Sequence, residues 1–290
     1  MSFSIADPAN VKKLIVNLAM TGWVPTRDQS AHVPMSVGEI VADACTGVDL
    51  GASILHLHAR EDNGDASYDA ERYASIIRGI RAKHPQAVIT VTTSGRRTSD
   101  LMQRTAALRI QGADRPDMAS LTLGSMNFAD GASVNDPKTI QTLAAMMREC
   151  GVKPELEVFD LGMIHYAKVL IHKGLIEPPY YFNLILGNVA TAQTDLLHLA
   201  VLLRELPSDS VWALGGIGRY QHAANNLAAV LADGARTGLE DNLWLDASRT
   251  RLASNAQLVE RVTSVTRAAG REVATMRETR QRLGLGEFDE

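Results

Sequence analysis

The chain has 290 residues, 46% of them hydrophobic and 21% charged, with a formal charge of −4. Such a composition excludes a disordered chain and allows one large buried core. No Lys/Arg-rich face stands out to neutralise phosphates, so a small-molecule partner is expected and a nucleic-acid partner is not.

The start, Met1 to Asp7, lacks the basic residues and apolar run of a signal peptide. No stretch approaches the roughly 20 uninterrupted apolar residues of a membrane span. Cys45 and Cys150 both fall in stretches of helical period and form neither a disulfide framework nor a C-x-x-C knuckle, which fits a reducing cytoplasm. A soluble, cytoplasmic protein is the expectation.

In chain order, short apolar or β-branched runs predict strands at about 13–20, 53–60, 87–94, 118–125, 153–160, 180–187, 210–217 and 234–241. Helical patterns separate them. Three begin on N-cap signals, at Ser36, Asp69 and Asn135-Asp136-Pro137, and others run over about 99–111, 161–174, 191–205, 219–232 and 254–269. Eight strands, each followed by a helix, predict α/β class and a single-domain (β/α)8 TIM barrel over 1–290, with an open doubly wound sheet as runner-up. The polar tail from about 271 predicts a helix as far as Gly284 that packs on the outside or against another subunit.

A closed barrel gathers its active site at the C-terminal ends of its strands. Those ends are polar here. The second strand carries His56 and His58 two residues apart, so both imidazoles share one face while Leu55 and Leu57 turn to the other. Such a pair can offer two nitrogens to a divalent ion, or can be two cleft histidines held by hydrogen bonds. A catalytic zinc usually takes three protein ligands and keeps one position open. Glu240 is the candidate third ligand, because in a closed barrel the eighth strand is separated from the second only by the first. Arg236 precedes it by four residues on the same face, and a buried ion pair is its alternative role. The third to sixth strands add Thr92, Ser120, Thr122, Glu155, Glu157 and Asn183. The turn after the seventh, Gly215-Gly216-Ile217-Gly218-Arg219, lies where barrels often hold phosphate, although such glycines are as often only a turn.

The runs GASILHLHARED, VTTSGR, MASLTLGSMNF, KPELEVFDLGM, PPYYFNLILGN, GIGRYQ and RTGLEDNLWLD closely resemble, in order and from about residue 12 to 280, the β-keto acid cleavage enzymes. The founding member acts on 3-keto-5-aminohexanoate in lysine fermentation. The joint occurrence of H-L-H-A-R with R-x-G-L-E-D carries the specificity of the match. The resemblance implies a zinc-dependent barrel, usually a homotetramer, with cobalt or another divalent ion as possible substitutes. Its reaction converts a β-keto acid and acetyl-CoA into acetoacetate and a new acyl-CoA. It also implies His56, His58 and Glu240 as metal ligands, and Asp241 with Arg236 as a charged pair for proton abstraction. The hydroxyls it implies are Thr92, and Thr122 or Ser120. Glu157 would face the substrate. From their strand-end positions rather than from the resemblance, Asn183 is a further candidate substrate contact, and Gly216, Gly218 and Arg219 are candidate contacts to CoA.

One departure bears on the substrate. Members acting on the amino-keto acid carry a carboxylate shortly after Thr-Gly, where this chain has Trp23-Val24-Pro25 after Thr21-Gly22. An apolar surface cannot balance a buried ammonium, so a different tail is expected. Two rival functions remain at this point, a metal hydrolase of the amidohydrolase kind and a non-catalytic binding protein. The amidohydrolase motif belongs on the first strand with histidines on the fifth and sixth, which this chain does not have.

Overall fold

In the computed structural model, which describes residues 12–287, strands form in all eight expected places: β1 (Ile15–Ala19), β2 (Ile54–Leu57), β3 (Val88–Val91), β4 (Met118–Thr122), β5 (Lys153–Val158), β6 (Tyr180–Leu186), β7 (Ser210–Gly216) and β8 (Gly234–Thr237). They close into one parallel barrel in the order β1-β8-β7-β6-β5-β4-β3-β2. The helices α1 (Val37–Asp49), α2 (Ala70–Arg81), α3 (Leu101–Arg104), α4 (Pro137–Glu149), α5 (Leu161–His172), α6 (Leu196–Glu205), α7 (Tyr220–Leu231) and α8 (Asn255–Ala268) follow the strands in turn. The open-sheet alternative falls away. Among the described residues no helix is long and apolar enough to cross a membrane.

Local chemistry places the helix starts. Ser36 accepts from Glu39 N while Glu39 reaches back to the Ser36 backbone, which satisfies two otherwise orphaned donors at the start of α1. Asp69 caps α2. Asp136 caps α4 through Lys138 N and Thr139 N, with Pro137 in the first turn, where its missing N–H costs nothing.

Three stretches differ from the sequence reading. The helix expected over 99–111 stops after α3 and continues as 3-10 turns at Ala106–Arg109 and Gly112–Asp114. Arg104 explains the break: its buried guanidinium turns inward to Thr93 O at 2.8 Å and Asn135 Oδ1 at 2.7 Å, a tertiary demand that outweighs helical propensity. Residues 126–133, which the sequence reading places between the fourth strand and the next helix, form an antiparallel hairpin of Met126–Phe128 and Gly131–Ser133. Strands of three residues are too short to show a period. The helix expected from 191 begins at Leu196, capped by Asp195.

The tail forms α9 (Met276–Arg282), which closes the barrel's N-terminal mouth rather than lying along the outside. Ala274 and Leu283, both buried, join Ile15, Ile54, Val88, Met118, Tyr181 and Ala213 in a cluster at the barrel floor. Thr279 Oγ1 donates to Ser53 Oγ at 2.8 Å, and Arg280 reaches the buried Asp117, as Arg81 does from α2. Because Leu283 has no exposed surface, Leu283→Ala leaves a cavity under the barrel. The expected cost is about 2–5 kcal/mol, read from the urea midpoint. A midpoint within about 0.5 kcal/mol of the parent would show that the floor relaxes around the gap.

Candidate active site

Strand alternation decides which side chains enter the barrel's upper end. His56 on β2 is in register with Ala19 on β1 and Thr90 on β3, all facing inward, and His58 stands two residues higher, just past the strand's end. Glu155 and Glu157 face inward from β5, and Arg236 from β8. The strand expected to run to 241 ends at Thr237. Gly238, at φ 137°, then turns so tightly that a Cβ there would lie 2.0 Å from Ala19 O, so only glycine permits the bend. That bend returns Glu240 and Asp241 over the mouth. Gly22, at φ 59°, leaves the space into which Glu240 packs, since a Cβ on it would lie 2.6 Å from Glu240 Cγ.

The result is one cluster of charges. His56 Nε2 and His58 Nε2 are 3.2 Å apart, with Glu240 Oε1 3.3 Å from His58 Nε2 and Glu240 Oε2 3.8 Å from His56 Nε2. Arg236 holds Glu240 at 3.1 Å by Nη2 and Asp241 at 2.8 Å by Nε, and lies 3.6 Å from Glu157 by Nη1. Thr122 donates to Glu157 Oε2 at 2.6 Å. Deeper in the barrel, His56 Nδ1 meets Glu155 Oε2 at 2.6 Å.

Burial works against every charge here, and the neighbours decide which survive. For His56, burial opposes the imidazolium, but the Glu155 and Glu240 carboxylates outweigh it and push the pKa up to about 9. His58 goes the other way, lowered mainly by burial. Burial would raise Glu240, yet His58, Arg236 and His56 hold it well below the usual carboxylate range. Asp241 and Glu157 are both pushed up by burial, against the pull of Arg236.

The donor set fits a divalent cation. His56, His58 and Glu240 each bring a ligand atom within 4.8 Å of the others, and two imidazole nitrogens with one carboxylate oxygen suit catalytic zinc. Glu240 Oε2 is buried without a hydrogen-bond partner among the described residues, which is a costly arrangement for a carboxylate oxygen unless a cation meets it. A cavity of about 870 Å³ opens above these groups. Trp23, Val24 and Pro25 wall it on one side, Met126, Phe128 and Phe159 on another, and Gly218, Arg219 and Arg249 stand at the rim. Neither rim arginine forms an ion pair among the described residues.

Residues 13–285 match the profile of the family described as beta-keto acid cleavage enzyme. The chain belongs to the β-keto acid cleavage enzyme family. It is thus a carbon–carbon-bond-cleaving acyl transferase, and the amidohydrolase and binding-protein readings are not supported. It is 38% identical to the 3-keto-5-aminohexanoate cleavage enzyme of Fusobacterium nucleatum, over 95% of this chain and 99% of that protein. It is 36% identical to the 3-oxoadipate:acetyl-CoA acetyltransferase of Cupriavidus necator, over 93% and 94%. In fold it resembles apo ObcA, with a TM-score of 0.77 at 20% identity, over 89% of this chain and 66% of that longer one.

In this β-keto acid cleavage enzyme, His56, His58, Thr92, Thr122, Glu157, Arg236, Glu240, Asp241, Gly218 and Arg219 all line the cavity. Three residues expected with them do not. Ser120 is buried below, its hydroxyl accepting from Thr93 N at 3.1 Å. Asn183 is wholly buried and donates to Glu155. Gly216 serves packing, for a Cβ there would sit 2.6 Å from the Tyr220 backbone. Sequence reasoning missed two supports. Trp23 sets its ring edge-on 4.8 Å from the His58 ring and donates to Ala59 O. Arg60 is buried and pins the loop after β1 through Gly22 O and Pro25 O, each at 2.8 Å, and its own loop after β2 through Gly64 O at 2.7 Å. The only signal was their place in the apolar-to-polar transitions after β1 and β2.

Proposed function

We propose that this enzyme joins acetyl-CoA to a β-keto acid without a cationic tail, releasing acetoacetate and a new acyl-CoA, with zinc held by His56, His58 and Glu240. The observation that carries the reading is the convergence of two imidazoles and a carboxylate beside the Arg236–Asp241 pair at the floor of one cavity. The ion, when bound, supplies Lewis-acid polarisation of the keto oxygen.

The side chains supply the rest. Asp241 accepts a proton from the acetyl methyl group. Burial raises its pKa toward that of a useful base, and the 2.8 Å bond from Arg236 Nε fixes its orientation. Arg236 also places positive charge where oxyanions form. Thr92 Oγ1 accepts from Ser94 N at 3.1 Å, which leaves its own proton to donate to such an oxyanion. Thr122 is committed to Glu157, so it positions that carboxylate instead. Gly218, Arg219 and Arg249 at the rim receive the phosphates of CoA.

The substrate's tail meets the wall of Trp23, Val24 and Pro25, where an ammonium would be buried unpaired. A panel of β-keto acids, assayed with acetyl-CoA and zinc for acetoacetate, tests this. Acids without a cationic tail are expected to turn over at least about 100-fold faster in kcat/KM than the 5-amino acid, a difference of about 2.7 kcal/mol. Equal rates would remove the specificity reading. No acetoacetate from any acid would remove the proposed reaction.

A further inference from the structure

TIM barrels fill their interior mainly with layers of branched aliphatic side chains. Here only the lowest layer is apolar, and directly above it lie Asn17, His56, Glu155 and Asn183, none more than 1% exposed. A carboxylate at that depth persists only where its neighbours compensate for lost water. Glu155 Oε1 receives two amides, Asn17 Nδ2 and Asn183 Nδ2, each at 2.5 Å. Oε2 is left for His56 Nδ1 alone, at 2.6 Å.

We propose that Glu155 is a positioning residue. It accepts the Nδ1 proton of His56 and fixes the ring's orientation, so that Nε2 faces the cation and is the nitrogen that gives up its proton when the ion binds. The inference rests on the metal-centre reading above. His58 provides the contrast: its Nδ1 is buried with no partner among the described residues, and its ring is steadied by the edge of Trp23. The two imidazoles are therefore unequal. His56 is the pre-set ligand and His58 is free to settle on the ion.

The two asparagines also determine what an amide would do at position 155. In Glu155→Gln, their N–H groups claim the new carbonyl oxygen, because the opposite orientation sets donors against donors. The Gln NH2 then faces His56 Nδ1, which must become the acceptor, and the ring proton moves to Nε2, where the metal belongs. A carboxylate behind a metal-bound histidine typically contributes 10–100-fold in affinity.

The test measures zinc dissociation constants for the parent and Glu155→Gln by competition with a chromophoric chelator, alongside melting of the metal-free proteins. The expected result is zinc binding weakened about 10–100-fold. A purely structural role would lower the metal-free melting temperature and leave the dissociation constant alone, so a constant within about threefold of the parent overturns the proposal. A parent that takes up no zinc overturns the metal centre itself, which separates the two failures. Should Glu155→Gln not fold, the zinc-loaded parent labelled with 15N-histidine decides the point. The proposal expects the His56 ring proton on Nδ1, identified by its disappearance in His56→Asn, and a proton on Nε2 refutes it.

Discussion

Asp241→Asn is expected to retain stoichiometric zinc and to lower the rate of acetoacetate formation by about 10²–10⁴-fold, the usual contribution of a positioned general base. The substitution isolates proton transfer because Asp241 lies outside the group of His56, His58 and Glu240 proposed to hold the cation. Asparagine keeps the shape and can still accept from Arg236 Nε through its carbonyl oxygen, but it cannot take a proton. The guanidinium is not orphaned either, since Glu240 remains at 3.1 Å and Glu157 at 3.6 Å. Fold and metal content should therefore survive, with the loss falling on kcat rather than KM. Normal turnover by this variant would withdraw the base assignment, and loss of zinc along with activity would make Asp241 a support of the metal site.

What could be read from the sequence follows from which interactions are local. The eight strands were legible because each short apolar run is bounded by turn residues, and His56 and His58 because a two-residue spacing fixes a common face whatever the neighbours are. Height within the barrel was not legible, because it depends on the register between strands. Glu155 and Glu157 share a face on β5, but only the pairings Ser120↔Glu155 and Thr122↔Glu157 set one pair below the cavity floor and the other in it. The same register removes Ser120 from the site and leaves the Glu155 partnership with His56 unseen, since those two residues are 99 apart in sequence. Gly238 hid a turn inside what reads as strand, so Glu240 and Asp241 were expected on β8 and lie beyond it. Trp23 and Arg60 stood inside stretches the sequence singled out, but their supporting contacts were not legible, because each acts through a tertiary contact set.

Glu240→Gln is expected to have the second large effect, a zinc affinity reduced by more than about 100-fold, beyond the range seen for groups behind the ligands. The carboxylate is the one negative charge among the three donors, and it faces the two imidazole nitrogens from 3.3 and 3.8 Å. A glutamine keeps the length and can still offer a carbonyl oxygen, but it removes the charge that offsets a divalent ion in a buried site. Arg236 makes the loss worse: its Nη2 stands 3.1 Å from the same carboxylate, and once that charge is gone the guanidinium repels a cation it formerly shared an anion with. Dialysis against a chelator should silence the parent enzyme, and stoichiometric zinc should restore it. The Gln variant should stay silent at that zinc level and recover only in large excess. Full recovery of Glu240→Gln at stoichiometric zinc would show that the ion is held by the histidines with some other group. The convergence of β2 and the turn after β8 would then be an ion-pair network that stabilises the barrel mouth, not a metal centre.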